Sequence, residues 1–132
     1  FRDEASREPV AGSSVLVIDN DERIVAASCA LLERLGHQPR GARSIASALE
    51  HCADADLMLV DYHLDDGEDG LSLINAVRQR RPGLPALLLT AESGEAMLAR
   101  ARAMGIAVLP KPVDPEALLR AIADLSVPKV QP

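Results

Sequence analysis

Aromatic side chains are nearly missing from this sequence: one Phe, one Tyr and no Trp among 132 residues. With 48% of the chain hydrophobic, a core has to be aliphatic, built from Leu, Val, Ile and Ala. Positive charge is also short. Fourteen Lys and Arg against twenty Asp and Glu leave a net charge of −6, which argues against a nucleic-acid-binding surface, since that needs a basic patch. No apolar run approaches the roughly 20 residues of a membrane span, and no signal peptide is visible. Cysteine is limited to Cys29 and Cys52, with no Cys-x-x-Cys. Both are expected to be small buried apolar residues in a reducing compartment. No glycine-rich loop marks a nucleotide site.

What is present is an alternation. Residues 1–13 mix charge, Ser, Gly and Pro without periodicity and read as a linker or disordered arm. Residues 14–126 read as one domain and 127–132 as a flexible tail. Short apolar runs at 15–18, 57–60, 84–89 and 106–109 have the character of strands buried on both faces, with a weaker edge strand at 38–42. Helical spacing fills the intervals. The first helix places Ile24, Ser28, Leu31, Leu32 and Leu35 on one face, with Asp21 as N-cap and Gly36 as its stop. The others present Ile45, Ala48, Leu49 and Cys52; Leu71, Ile74 and Val77; Met97, Ala101 and Met104; and Leu118, Ile122 and Leu125. Ser44, Ser93 and Asp114 are the expected caps, the last with Pro115 at the first helical position. Five strands alternating with five helices make an α/β domain with a parallel sheet covered on both faces.

In such a sheet all strand ends point one way. Asp19, Asn20 and Asp21 follow the first strand, Asp61 ends the third, Thr90 ends the fourth and Lys111 follows the fifth. These groups therefore converge on one crevice. Two carboxylates about 4 Å apart repel by on the order of 4 kcal/mol at an effective dielectric near 20. Magnesium would relieve that, since it takes oxygen ligands from one or two carboxylates together with phosphate oxygens. A hydroxyl and an ammonium suit phosphate oxygens. The chemistry that uses these groups together is phosphoryl transfer with an aspartate as covalent acceptor.

The runs Val-Leu-Val-Ile-Asp-Asn-Asp, Leu-Met-Leu-Val-Asp-Tyr-His-Leu, Leu-Leu-Leu-Thr-Ala and Leu-Pro-Lys-Pro-Val, in this order, resemble the receiver domains of two-component signalling over residues 15–125. The resemblance implies a flavodoxin-like (CheY-like) three-layer sandwich with strand order 2-1-3-4-5, an order that such proteins are known for. It implies Asp61 as phospho-acceptor and Mg²⁺ held by Asp61, Asn20 and the backbone carbonyl of His63, with Asp19 acting through water. It implies Thr90 and Lys111 as phosphoryl-binding partners, and His63 and Glu92 flanking the phosphoryl group. The Lys111–Pro112 bond is often cis in the family. The phosphodonor implied is a histidine kinase or histidine phosphotransfer domain, with no nucleic-acid or direct membrane contact by the domain itself. The implied location is cytoplasmic, and the responsive surface is the fourth helix, last strand and last helix.

Two positions depart from the family pattern. Asn20 replaces the more usual second acid, so weaker Mg²⁺ binding is expected. Val108 stands where many relatives carry an aromatic switch residue. Asn20 also keeps a rival reading open, a degenerate receiver acting as an unphosphorylated interaction module. A second rival is a haloacid-dehalogenase-like phosphatase with Asp19 as nucleophile and Asp21 as acid/base, which leaves Asp61 unexplained. The Asp-Tyr-His-Leu run, the linker-like start and the early stop suit the C-terminal receiver of a hybrid sensor histidine kinase. Asp65, Asp66, Glu68 and Asp69 fail EF-hand spacing and read as a solvated loop. His37 and His51 read as surface or boundary residues, and Arg78, Arg80 and Arg81 as cations at a helix C-terminus.

Overall fold

The computed structural model describes residues 13–64, 69–91 and 94–126. Five strands, β1 (Ser14–Ile18), β2 (Gln38–Ala42), β3 (Leu57–Asp61), β4 (Ala86–Thr90) and β5 (Ala107–Pro110), form one sheet in the order β2-β1-β3-β4-β5. Every pairing is parallel. Five helices connect them: α1 (Glu22–Arg34), α2 (Ile45–His51), α3 (Gly70–Arg80), α4 (Glu95–Ala103) and α5 (Pro115–Ser126), with a 3-10 turn at Cys52–Asp54. This is the flavodoxin-like three-layer sandwich expected of the sequence.

The sheet's two faces feed two separate aliphatic clusters, because successive strand side chains alternate in direction. Leu16, Ile18, Met58, Val60 and Leu88 meet α2, α3 and α4 through Ala48, Ile74, Val77 and Ala101. Val15, Val17, Leu57, Leu59 and Leu87 meet α1 and α5 through Leu32, Leu118 and Ile122. All five residues of β3 are buried, and so are all five of β4. Each fully buried aliphatic side chain contributes about 1.5–3 kcal/mol, so the two central strands are the most firmly held. Asp21, Ser44 and Asp114 each cap a helix through a side-chain oxygen, accepting from Arg23, Ser47 and Ala117 N–H groups. Gly36 holds positive φ at the expected stop of α1, and Gly83 and Gly105 hold positive φ at the turns after α3 and α4.

Five expectations need correction. The inward face of α1 holds Leu31 and Leu32 as expected, but Val25 and Cys29 take the places expected for Ile24 and Ser28. Ile24 is 38% exposed. The cause is that α1 is apolar over a wide arc, and packing against β1 selects one edge of it. Cys29 is accordingly only half-buried, whereas Cys52 is buried. His37 is 3% exposed, not a surface residue, and neither ring nitrogen has a hydrogen-bond partner. It follows Gly36, where the chain turns from α1 under the sheet, its own N–H donating to Leu32 O. Arg78 and Arg81 do more than face a helix dipole. Arg78 donates to the carbonyls of Leu84 and Met104, and Arg81 to those of Cys52 and Ala53. Finally, α4 starts from Gly94 as N-cap, which offers no side chain; Ser93 lies outside the described residues.

Candidate functional site

Asp19 and Asp61 are buried at the carboxyl ends of neighbouring strands, 3% and 5% exposed. Register brings them there: Ile18 pairs with Val60, so each acid is the next residue along. Oδ1 of Asp19 accepts the Asp21 N–H at 2.9 Å. Its Oδ2 is buried without a hydrogen-bond partner. Burial pushes the Asp19 carboxyl above the usual carboxylate range, with the Asp61 charge adding to it and the Asp21 N–H and Lys111 opposing.

Lys111 answers both acids. Its Nζ lies 2.5 Å from Oδ1 of Asp61 and 3.6 Å from Oδ2 of Asp19. Burial alone would lower the ammonium's pKa, but the bond to Asp61 and the two negative charges outweigh it and hold it above its ordinary value. The backbone fixes this reach, because Lys111 N–H donates to Thr90 O at 3.0 Å. The following bond, Lys111–Pro112, is cis. Thr90 is buried at the end of β4, level with Pro110. The crevice therefore gathers Asp19, Asp61, Thr90 and Lys111 from four strand ends, with Asn20 next to Asp19.

The segment after Asp61 is tied at its base. Gly70 N–H donates to Tyr62 O at 2.7 Å, Tyr62 N–H donates to Leu89 O at 2.8 Å, and His63 bridges Asp69 in antiparallel fashion. The exposed His63 ring stands edge-on to Tyr62, centroids 5.0 Å apart. Asp69 is not a solvated loop acid. Its Oδ1 accepts the Ser72 N–H and caps α3, and its Oδ2 accepts from Arg100 of α4. Burial would raise the Asp69 pKa, yet the Ser72 N–H and the Arg100 guanidinium outweigh it and lower it. Asp65, Asp66, Glu68 and the expected flanking residue Glu92 lie outside the described residues.

Three residues near the site escaped the sequence reading: Asp69, Arg100 and Gly70. A Cβ on Gly70 would collide with the Asp61 backbone oxygen and crowd Leu88 and Val60. Only glycine lets α3 begin this close to the acceptor strand. The signal available was a glycine at a helix start straight after a strand-ending acid.

Magnesium can be tested against these residues. The donors to be weighed are the Asp19 and Asp61 carboxylates, the Asn20 amide oxygen and the His63 backbone carbonyl, all hard oxygens. The buried Oδ2 of Asp19, with no hydrogen-bond donor, is the kind of lone pair such a cation takes. The residues fit the ion, with one reduction. Among the described residues no three His, Cys, Asp or Glu side chains gather, and position 20 carries an amide rather than an acid. Asp21 does not replace the missing acid: both its oxygens accept from Arg23.

The family model for the response regulator receiver domain matches residues 15–123. This chain belongs to the response regulator receiver family. The receiver is 30% identical over 104 residues to the photosynthetic apparatus regulatory protein RegA of Rhodovulum sulfidophilum, covering 76% of this chain and 56% of RegA. It is 29% identical to the DNA-binding transcriptional regulator NtrC of Azospirillum brasilense, covering 86% of this chain and 24% of NtrC. The chain thus spans between a quarter and somewhat over half of these relatives. Among solved structures it resembles chemotaxis protein CheY4 of Vibrio cholerae, with TM-score 0.78, 26% identity, and 87% and 99% of the two chains covered. It also resembles the signal receiver domain of an HD domain-containing protein from Pseudomonas fluorescens Pf-5, with TM-score 0.78, 30% identity, and 86% and 94% covered. A sensor protein from Polaromonas sp. JS666 matches with TM-score 0.76 and 27% identity over 87% and 98%. Among the described residues of the receiver, no helix is long and apolar enough to cross a membrane.

Proposed function

We propose that this receiver accepts a phosphoryl group from a phosphohistidine onto Asp61 and thereby switches a protein-interaction surface. The observation that carries the reading is Lys111 Nζ bridging two buried carboxylates, 2.5 Å from Asp61 and 3.6 Å from Asp19. An Asp61 oxygen attacks phosphorus, the phosphorus–nitrogen bond breaks, and the leaving imidazole takes up a proton. Lys111 can then turn from carboxylate to phosphoryl oxygen without leaving the crevice, and the Thr90 hydroxyl can donate to another. Asp19, Asn20, Asp61 and the His63 carbonyl would hold Mg²⁺, which supplies neutralisation of the charge on the transferred group. By the family resemblance, the residues two after the acceptor and two after Thr90, His63 and Glu92, are the ones assigned to tune the phosphoryl lifetime.

A histidine kinase or a histidine phosphotransfer domain is the donor in this reading. A cleft of about 560 Å³ beside Lys111, lined by Ile24, Ala27, Ser28, Leu31 and Val113, offers an apolar seat for it. The exposed Ile24 face of α1 belongs to this cleft. The parent we propose is a hybrid sensor histidine kinase in the cytoplasm, a reading supported by the Asp-Tyr-His-Leu run and by the resemblance to a sensor protein from Polaromonas. The transcriptional regulators among the relatives represent the other kind of parent.

The amide at position 20 favours one second reading, a receiver that serves as an interaction module without phosphorylation. Incubation with Mg²⁺ and a small phosphodonor separates the two. Acid-labile phosphate is expected on wild type and absent from Asp61→Asn. Label that persists in Asp61→Asn and vanishes in Asp19→Asn would instead indicate phosphatase-type chemistry. No label on wild type would support the interaction module.

A further inference from the structure

α4 is lightly held. It is nine residues long, buries only Met97 and Ala101, and has no side-chain cap at its N-terminus. Its far end is fixed better: Nη1 of Arg78, on α3, donates to Met104 O at 2.6 Å. Between these ends Arg100 reaches out of α4 to Asp69, Nη1 to Oδ2 at 3.3 Å.

Asp69 belongs to the base of the acceptor segment and is itself firmly placed. It caps α3, its backbone bridges His63, and the next N–H bonds Tyr62 O. Of the two partners, α4 is therefore the one that yields when the pair opens. We infer that the Arg100–Asp69 pair is a latch that fastens α4 in the unphosphorylated arrangement and so sets how readily Asp61 takes its phosphoryl group. This rests on the phospho-acceptor reading above. The link runs through β4. Thr90 ends that strand and α4 starts at Glu95, so only four residues separate the hydroxyl from the helix. Drawing Thr90 toward a phosphoryl group pulls on the uncapped end of α4 while Arg78 clamps the other. Arg100, in between, then parts from Asp69. A contact made in one state alone opposes the other state by its own strength. Arg100 is a positioning residue, acting through α4.

The test is calorimetric titration of beryllofluoride with Mg²⁺ into wild type, Arg100→Gln, Asp69→Asn and the double variant. Asn still caps α3, so Asp69→Asn removes the ion pair and keeps the helix start. Each single variant is expected to bind roughly two- to fivefold more tightly, the range open to an exposed ion pair, and the double variant no more tightly than either. Arg100→Lys, which keeps the charge, is expected to return toward wild type. Without beryllofluoride the midpoints of the single variants should fall by a few degrees, since the lost contact belongs to the unphosphorylated arrangement, and with saturating beryllofluoride they should match wild type; a contact kept in both arrangements would lower both midpoints and leave beryllofluoride affinity unchanged. Variants that bind as wild type does, or single effects that add in the double variant, overturn the latch. A wild type that takes up no beryllofluoride overturns the phospho-acceptor reading and the latch with it.

Discussion

Asp19 holds a conflict between stability and chemistry. Its ionised form is disfavoured by burial, so its folded pKa lies above the unfolded one. The stabilising, protonated form is complete below the unfolded value and is lost as pH rises through the folded one. At neutral pH the ion is therefore kept at a cost. Asp19→Asn should raise the thermal stability of the metal-free receiver at neutral pH while weakening Mg²⁺ binding, as melting curves with and without the ion would show. His37 works in the opposite direction. Burial lowers its pKa, so the unfolded chain binds the proton first. Its contribution is full above about pH 6.5 and declines as pH falls below that. His37→Leu is expected to flatten the loss of stability between pH 7 and 5, with a difference from wild type of about 1–3 kcal/mol at the acid end, the usual cost of an unsatisfied buried polar group. Parallel melts across that range decide it. Nothing in the sequence marked His37 as buried, since a polar residue after a helix-ending glycine normally faces water.

Elements were easier to read than their faces. The two apolar runs at β3 and β4, the Asp21, Ser44 and Asp114 caps and the Gly36 stop are plain in the sequence, because each follows from local spacing or cap chemistry. Strand order was not: alternation gives a parallel sheet, and only the resemblance in the four motif runs chose 2-1-3-4-5. The α1 face was misjudged by one residue because Ile24, Val25, Leu31 and Leu32 are all apolar, and period alone cannot say which edge meets the sheet. The Asp69–Arg100 contact joins residues 31 apart in sequence and carries no local signal. Of the site, the strand-ending Asp19, Asp61, Thr90 and Lys111 are legible in the sequence, whereas the close approach of Gly70 to the acceptor strand is not. Gly70→Ala drives a methyl group into the Asp61 carbonyl and should cost about 1–3 kcal/mol, as overpacking generally does. A chemical denaturation curve measures that loss, and the same variant should be phosphorylated more slowly, because α3 and the Asp61 strand end must separate.

For the whole molecule, the parallel arrangement places Asp19, Asp61, Thr90 and Lys111 at one rim, away from the two aliphatic clusters. Ligand binding at the rim should therefore register as global stability. Mg²⁺ at about a hundred times its dissociation constant adds about 2.7 kcal/mol to unfolding. The melting temperature is expected to rise with MgCl₂ in wild type, to rise at lower concentration in Asn20→Asp, and to stay level in Asp19→Asn. An Asn20→Asp variant that needs as much Mg²⁺ as wild type would refute the role given to the amide. The scarcity of aromatic residues has its own consequence. The only tyrosine of the chain, with no tryptophan beside it, directly follows Asp61 and touches the His63 ring. The receiver thus carries a native optical probe at its acceptor, and tyrosine emission, free of any indole background, reads the site in real time without a label.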